Sequence, residues 1–399
     1  MNYSDEHVAL CALNKIFGYH PALATTLIEK AGSAVACFSG DYVPETPDLS
    51  VIPGPDRGSP HPELFCQLTS SALDWARKEL ESIDSSGFRF LTIIDEDYPS
   101  ALRECETPPI GLYLNGCSSP TEIFGLRPMI GFVGTRDISP YGRLWCQKLV
   151  RTLSEAPIQP CIVSGMALGA DGIAHHTALE CGLTTIGVMP TGIESIYPYS
   201  HQRLAIDIVS RPGCGLVTDY PIGTSPVALN FLRRNRIIAG LVSAVVVVES
   251  KNRGGSLMTA RYACEYNREV FALPGRIDDV RSAGCNSLIH SQMARIITSP
   301  EELVGELGLG RIVRGPGGSW AAGPEASLRS VLIRKYGEGS AQVNIGLAVQ
   351  ENLGITVDAL AARLHLSYTD TLTAVTILEA DGVLTTDLLG RCSLTPNYA

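Results

Sequence analysis

The run Val245-Val246-Val247-Val248 is a block of four β-branched apolar residues with no polar position to turn toward water. Such a block reads as a strand covered on both faces, the situation of a central strand in a parallel α/β sheet. It is one of a series. β-rich runs recur at 90–94, 129–133, 161–163, 185–188, 215–218, 244–248, 270–273 and 295–297. Helical patterns separate most of them, at 141–153, 173–180, 228–241 and 257–267. Strands alternating with helices of this length predict βαβ units and an α/β fold with a Rossmann-like, doubly wound, mostly parallel sheet.

The flanks differ in pattern. Residues 1–85 predict a helical N-terminal domain of sterile-alpha-motif or helix-hairpin-helix type, with apolar residues at helical spacing through Val8, Ala9, Leu10 and through Leu23, Leu27, Ile28. Within it, 42–62 is rich in Pro, Gly, Asp and Ser and reads as a loop, and 62–85 as a polar helical segment. The α/β domain is expected over 86–304. Residues 305–324, with Gly315-Pro316-Gly317-Gly318, read as a linker. In 325–399, helices at 357–364 and 371–380, a turn at 365–369 and a hairpin from 383–386 and 391–394 predict a winged helix. Leu372, Val375, Leu378 and Val383 are its expected core.

Three hundred and ninety-nine residues exceed one ordinary domain. No apolar run approaches the roughly 20 residues of a membrane span, and acids stand where a signal peptide carries basic residues, so a cytoplasmic protein with no membrane partner is expected. The twelve cysteines are scattered singly with no CxxC pair, which predicts reduced, mostly packed thiols rather than a metal site. The net charge of −10 is uneven. Residues 1–128 hold 8 Lys/Arg against 18 Asp/Glu, a net of 8 − 18 = −10, whereas 230–296 hold 10 against 5, a net of +5. A polyanion can therefore bind locally, since charge is screened within about 8–10 Å.

Ligands of parallel sheets bind beyond the carboxyl ends of the strands, and four segments stand there. Gly134-Thr135-Arg136, with Ser139-Pro140 as a helix start, offers a guanidinium beside a helix N-terminus, an arrangement that suits phosphate. Ser164-Gly165-Met166-Ala167-Leu168-Gly169-Ala170-Asp171 allows close backbone approach. Asp171 and His175, four apart, are either an acid–base or metal pair, or a helix cap and a locally bonded histidine. Arg233, Arg234 and Arg236 with Asn235 form a basic cluster ahead of an apolar helical run. Gly254-Gly255-Ser256 opens a helix with Ser256 and Thr259 hydroxyls, but lacks the lysine of a P-loop.

Taken in order, these residues resemble the DNA-processing protein A (DprA/Smf) family. The resemblance runs through Asp95-Glu96-Asp97-Tyr98-Pro99, Pro108-Pro109-Ile110-Gly111-Leu112-Tyr113, Gly134-Thr135-Arg136, the segment 164–175, and Gly192-Ile193 with Tyr197-Pro198. It continues through Arg234-Asn235-Arg236-Ile237-Ile238-Ala239-Gly240-Leu241, Gly255-Ser256-Leu257-Met258-Thr259-Ala260, Leu273-Pro274-Gly275 and Gly284-Cys285-Asn286-Ser287-Leu288-Ile289. The resemblance implies a homodimer without cofactor or catalytic activity. It implies that the protein binds single-stranded DNA and helps load a RecA-type recombinase, in natural transformation or general recombination. It points to Gly134, Thr135, Arg136, Ser164, Gly165, Arg234, Asn235, Arg236, Gly255, Ser256 and Thr259 as the DNA- and phosphate-binding residues. Departures from the family pattern are Leu168 in place of a basic residue, Ala170 in place of Ile, Thr218-Asp219 where Ser-Glu is common, and His20 where a helix-hairpin-helix has its second glycine.

The alternative is a Rossmann-type nucleotide-processing enzyme of the phosphoribohydrolase kind. That chemistry needs a glutamate in a Pro-Gly-Gly-x-Gly-Thr-x-x-Glu setting, and 254–260 carries none. A regulator reading duplex DNA through the winged helix is disfavoured by the charge of 297–399, 7 Lys/Arg against 11 Asp/Glu.

Overall fold

The computed structural model describes residues 3–39, 62–312, 328–352, 354–387 and 390–395. The expected loop at 42–62, except its last residue, and the linker from 313 onward lie outside the described residues. The chain divides into two compact units, Met1–Ile312 and Val313–Ala399.

The first unit is built on a nine-stranded sheet: β1 (Arg89–Thr92), β2 (Gly111–Asn115), β3 (Met129–Val133), β4 (Cys161–Ser164), β5 (Thr185–Val188), β6 (Gly215–Thr218), β7 (Ala244–Val247), β8 (Glu269–Ala272) and β9 (Arg295–Ile296). Their order is β1-β2-β6-β5-β4-β3-β7-β8-β9. From β6 to β9 every pairing is parallel, while β2 runs antiparallel to both β6 and β1. The α/β, mostly parallel sheet is thus as expected, with one strand more. Strand β2 lay hidden because Gly111-Leu112-Tyr113-Leu114-Asn115 opens on a glycine and has no β-branched residue to mark it.

Side-chain alternation places both faces in apolar cores. Ile130, Phe132, Ile162 and Val246 pack against Cys146, Leu149, Leu153, Ala174 and Ala178. Val133, Val163, Val245 and Val247 pack on the other side with Ile237, Leu241, Ala260 and Ala263. Each large side chain buried this way contributes about 1.5–3 kcal/mol before the entropy of ordering it. The valine run therefore does serve both faces.

Helices Asp5–Phe17 and Ser70–Ser85 lie at the antiparallel edge, where Cys11, Ala12, Ala76, Leu80 and Ile83 share a core with Phe90, Tyr113 and Leu216. His20, at φ −138° before the helix Pro21–Ala31, occupies a conformation that needs no glycine.

The second unit holds helices Leu328–Tyr336, Ala341–Glu351, Val357–Leu364 and Tyr368–Ala380 with a small antiparallel sheet, β10 (Ile355–Thr356), β11 (Leu384–Thr386) and β12 (Arg391–Leu394). Val375, Leu378 and Val383 are buried with Leu332, Val349 and Leu360. Leu372 corrects the expected core: it is 43% exposed on the outer face of its helix. All twelve cysteines are free thiols, most of them buried. No helix among the described residues is long and apolar enough to cross a membrane.

Candidate functional site

The strand order reverses between β3 and β7, because β4 follows β3 on one side while β8 follows β7 on the other. Loops leaving the two carboxyl ends diverge there and leave a crevice. It holds a cleft of about 380 Å³, lined by Gly134, Thr135 and Arg136 after β3, Ala167 and Asp171 after β4, and Ser250, Lys251, Arg253, Gly255 and Ser256 after β7. The helix Ala228–Leu241 adds Phe231, Arg234 and Asn235, and the helix Gly255–Glu265 adds Thr259.

The Gly134-Thr135-Arg136 turn is held by its neighbours. Thr135 N–H donates to the Glu249 carbonyl at 2.7 Å, and the Thr135 carbonyl accepts from Ala170 N–H at 3.2 Å. Gly169 adopts φ +78°, where an added Cβ would lie 2.3 Å from the Thr135 oxygen, so only glycine fits. Ser139 caps the helix Pro140–Ser154 as expected, its hydroxyl accepting from Gly142 N–H at 3.0 Å. The phosphate reading of this helix end is corrected, however. The buried Glu249 carboxylate accepts from Ser139 N–H at 2.9 Å and from the Ser139 hydroxyl at 2.5 Å, so the protein's own anion occupies the position. Arg136 stands free of it, exposed, with its guanidinium 4.8 Å from the centre of the Phe231 ring.

Arg234 reaches the cleft from behind. Its guanidinium donates to the Gly165 carbonyl at 2.6 Å and to that of Val188, and its Nε donates to Asn235 Oδ1 at 3.3 Å. A Cβ on Gly165 would come within 2.5 Å of this guanidinium. Burial pushes the Arg234 pKa down to about 10, against the attraction of Asp171. Ser164 donates to the Phe132 carbonyl at 2.6 Å and is fully buried. Neither Ser164 nor Gly165 lines the cleft; they form the bed on which Arg234 lies. Arg236 is corrected outright. It is buried away from the cleft, donating to Asp219 Oδ2 at 2.6 Å and to the Thr107 carbonyl at 2.7 Å.

Asp171 and His175 are not a pair. Asp171 accepts from Ala167 N–H at 3.3 Å, within the turn before the helix Ala170–Glu180, and burial pushes its carboxyl up despite nearby Arg234 and Arg136. The N-cap is Gly169, not Asp171. His175 shares a 2.7 Å hydrogen bond with the Thr185 hydroxyl, and burial drives its pKa down to about 3, so it is neutral. Among the described residues no group of His, Cys, Asp and Glu could hold a metal ion.

After β7, Ser256 donates to Ser250 Oγ at 2.8 Å and Asn235 Nδ2 donates to the Gly255 carbonyl at 3.2 Å. Lys251 and Arg253, which line the rim and are exposed, were missed as site residues; their place beside a glycine pair after a buried strand was the available signal. Asp137, the other acid at the cleft, is engaged by Arg281 at 3.1 Å. Cations thus outnumber acids in a glycine-lined crevice, the makings of a polyanion site.

A mostly parallel sheet with helices and a cationic cleft at its reversal point makes this an α/β protein with its cleft at the topological switch point. Residues 89–308, more than half of the chain, match the family described as DNA recombination-mediator protein A, and the chain belongs to that family. It is 40% identical over 230 residues to Protein Smf of Synechocystis sp., covering 57% of this chain and 56% of that protein. It is 34% identical over 259 residues to the DNA processing protein DprA of Streptococcus pneumoniae, covering 65% of this chain and 86% of that protein. The X-ray structure of the Streptococcus pneumoniae DprA superposes with a TM-score of 0.60 at 29% identity, covering 77% of this chain and 99% of that one. The chain therefore spans little more than half the length of its Synechocystis relative.

Proposed function

We propose that this protein binds single-stranded DNA in the cleft between β3 and β7, catalyses no reaction, and delivers the strand to a RecA-type recombinase. The setting is DNA uptake in natural transformation or general recombination in the cytoplasm, and the working form is a homodimer. In this reading 1–85 is a helical N-terminal domain, 86–304 a Rossmann-like DNA-binding domain, 305–324 a linker and 325–399 a winged helix.

The observation that carries the reading is the convergence of Arg136, Arg234, Lys251 and Arg253 on one cleft of an otherwise acidic chain. Gly254 and Gly255 place no side chain between a phosphate and the start of the helix Gly255–Glu265. Phe231, with Arg136 above it and Tyr197 edge-on at 5.5 Å, offers an aromatic platform for an unpaired base. The acid nearest the glycine pair, Glu249, is spent on the Ser139 cap, which speaks against the nucleotide-processing alternative. A gel shift with single-stranded and duplex DNA, run beside a nucleoside-monophosphate hydrolysis assay, tests the reading. Preference for the single strand without hydrolysis is expected; turnover, or equal affinity for duplex, overturns it.

A further inference from the structure

Thr259 is 1% exposed and lines the cleft, and its buried hydroxyl has no hydrogen-bond partner among the described residues. In helices a threonine hydroxyl ordinarily donates to the carbonyl one turn back. Thr25, Thr26, Thr371, Thr373 and Thr376 do so, at 2.8–3.1 Å, whereas among the described residues Thr152 and Thr259 are buried in helices without a partner, and of these two only Thr259 lines the cleft. The corresponding carbonyl for Thr259 is that of Gly255, and it takes the Asn235 amide instead. A buried hydroxyl left unsatisfied costs about 1–3 kcal/mol, which a ligand group can restore.

Two further features say what that ligand is. The helix Gly255–Glu265 opens on the cleft with glycine at its cap and at its first position, and space where a Gly255 side chain would stand, so its N–H groups can meet an anion. Val133 and Ile238 line the cleft beside Thr259, an apolar wall with one hydroxyl, suited to the face and edge of a heterocycle. The volume of about 380 Å³ lies near the small end of ligand pockets and accommodates one nucleotide rather than a run of them.

We propose that the cleft binds a free nucleoside 5′-monophosphate, with its phosphate at the N-terminus of the helix Gly255–Glu265 and its base against Val133, Ile238 and Thr259. Resting on the reading of this cleft as the DNA site, such mononucleotides compete with single-stranded DNA, and the nucleotide pool sets how much protein is free to coat a strand. The base-wall hydroxyl costs stability in the empty protein and recovers it when the cleft fills.

The test uses the full chain, thymidine and adenosine 5′-monophosphates as probes, inorganic phosphate as control, and the isosteric Thr259→Val variant. Millimolar mononucleotide is expected to raise the melting temperature of the wild type and to displace labelled single-stranded DNA, with phosphate alone far weaker. Thr259→Val is expected to melt no lower than wild type when empty, yet to bind mononucleotide about tenfold more weakly, one hydrogen bond's worth. A lower melting temperature of the empty variant overturns the proposal, because the hydroxyl then has a structural partner. So does a wild type that binds single-stranded DNA through Arg136 but ignores millimolar mononucleotide, a result that leaves the DNA reading standing. If Arg136 proves irrelevant to DNA, that reading falls, and the mononucleotide titration alone still decides whether the cleft is a nucleotide site.

Discussion

Arg234 and Arg236 stand two apart on one helix, and their guanidinium groups end on opposite sides of it. Two residues turn an α-helix by about 200°, so a run Arg-Asn-Arg cannot aim both arginines at one ligand. That signal was present in the sequence, and the density of charge masked it. Arg234 meets the cleft; Arg236 pairs with Oδ2 of the buried Asp219. Removing one partner of a buried pair leaves the other charged and unpaired, at about 3–5 kcal/mol. Arg236→Ala is therefore expected to lose stability of that order in chemical denaturation, with Asp219→Asn added to it recovering a part. Full stability together with lost DNA binding would return Arg236 to the binding surface.

At the scale of elements, the turn after β4 shows what was legible and what was not. Its glycines announced a close backbone approach, and Gly165 and Gly169 do abut Arg234 and Thr135. The partner of the helix that starts at Pro140 was not legible, because Glu249 arrives from 110 residues away in sequence. Local signals such as Ser139-Pro140 fix a helix start; they do not say which distant carboxylate fills it. Strands β3 to β8 were readable because each is mostly buried and carries β-branched residues, whereas β2, with Gly111 under the Phe90 ring, carries none. Leu168 belongs to the same turn and is 47% exposed, so a lysine there escapes the cost of burial. Leu168→Lys is expected to leave the melting temperature unchanged and to steepen the salt dependence of single-strand binding by about 0.7 in log–log slope. A marked drop in melting temperature would show that Leu168 is covered in the working assembly.

For the whole molecule, the two units carry separate apolar cores and unlike surfaces. Helix Tyr368–Ala380 has no Lys or Arg, and exposes Tyr368, Leu372 and Ile377 instead. Such a face releases few counterions and contributes little to DNA affinity. A chain ending at Ile312 is expected to keep most of the single-strand affinity measured by fluorescence anisotropy; its loss in a folded truncated chain would move the site into the second unit. If phosphates are held at the β3–β7 reversal point, Arg136, exposed there with Lys251 and Arg253, contacts them. The most direct measurement is the affinity for single-stranded DNA as a function of salt, for the wild type and Arg136→Ala at matched thermal stability. Weaker binding with a slope shallower by about 0.7 is the predicted result; an unchanged affinity and slope would contradict the account.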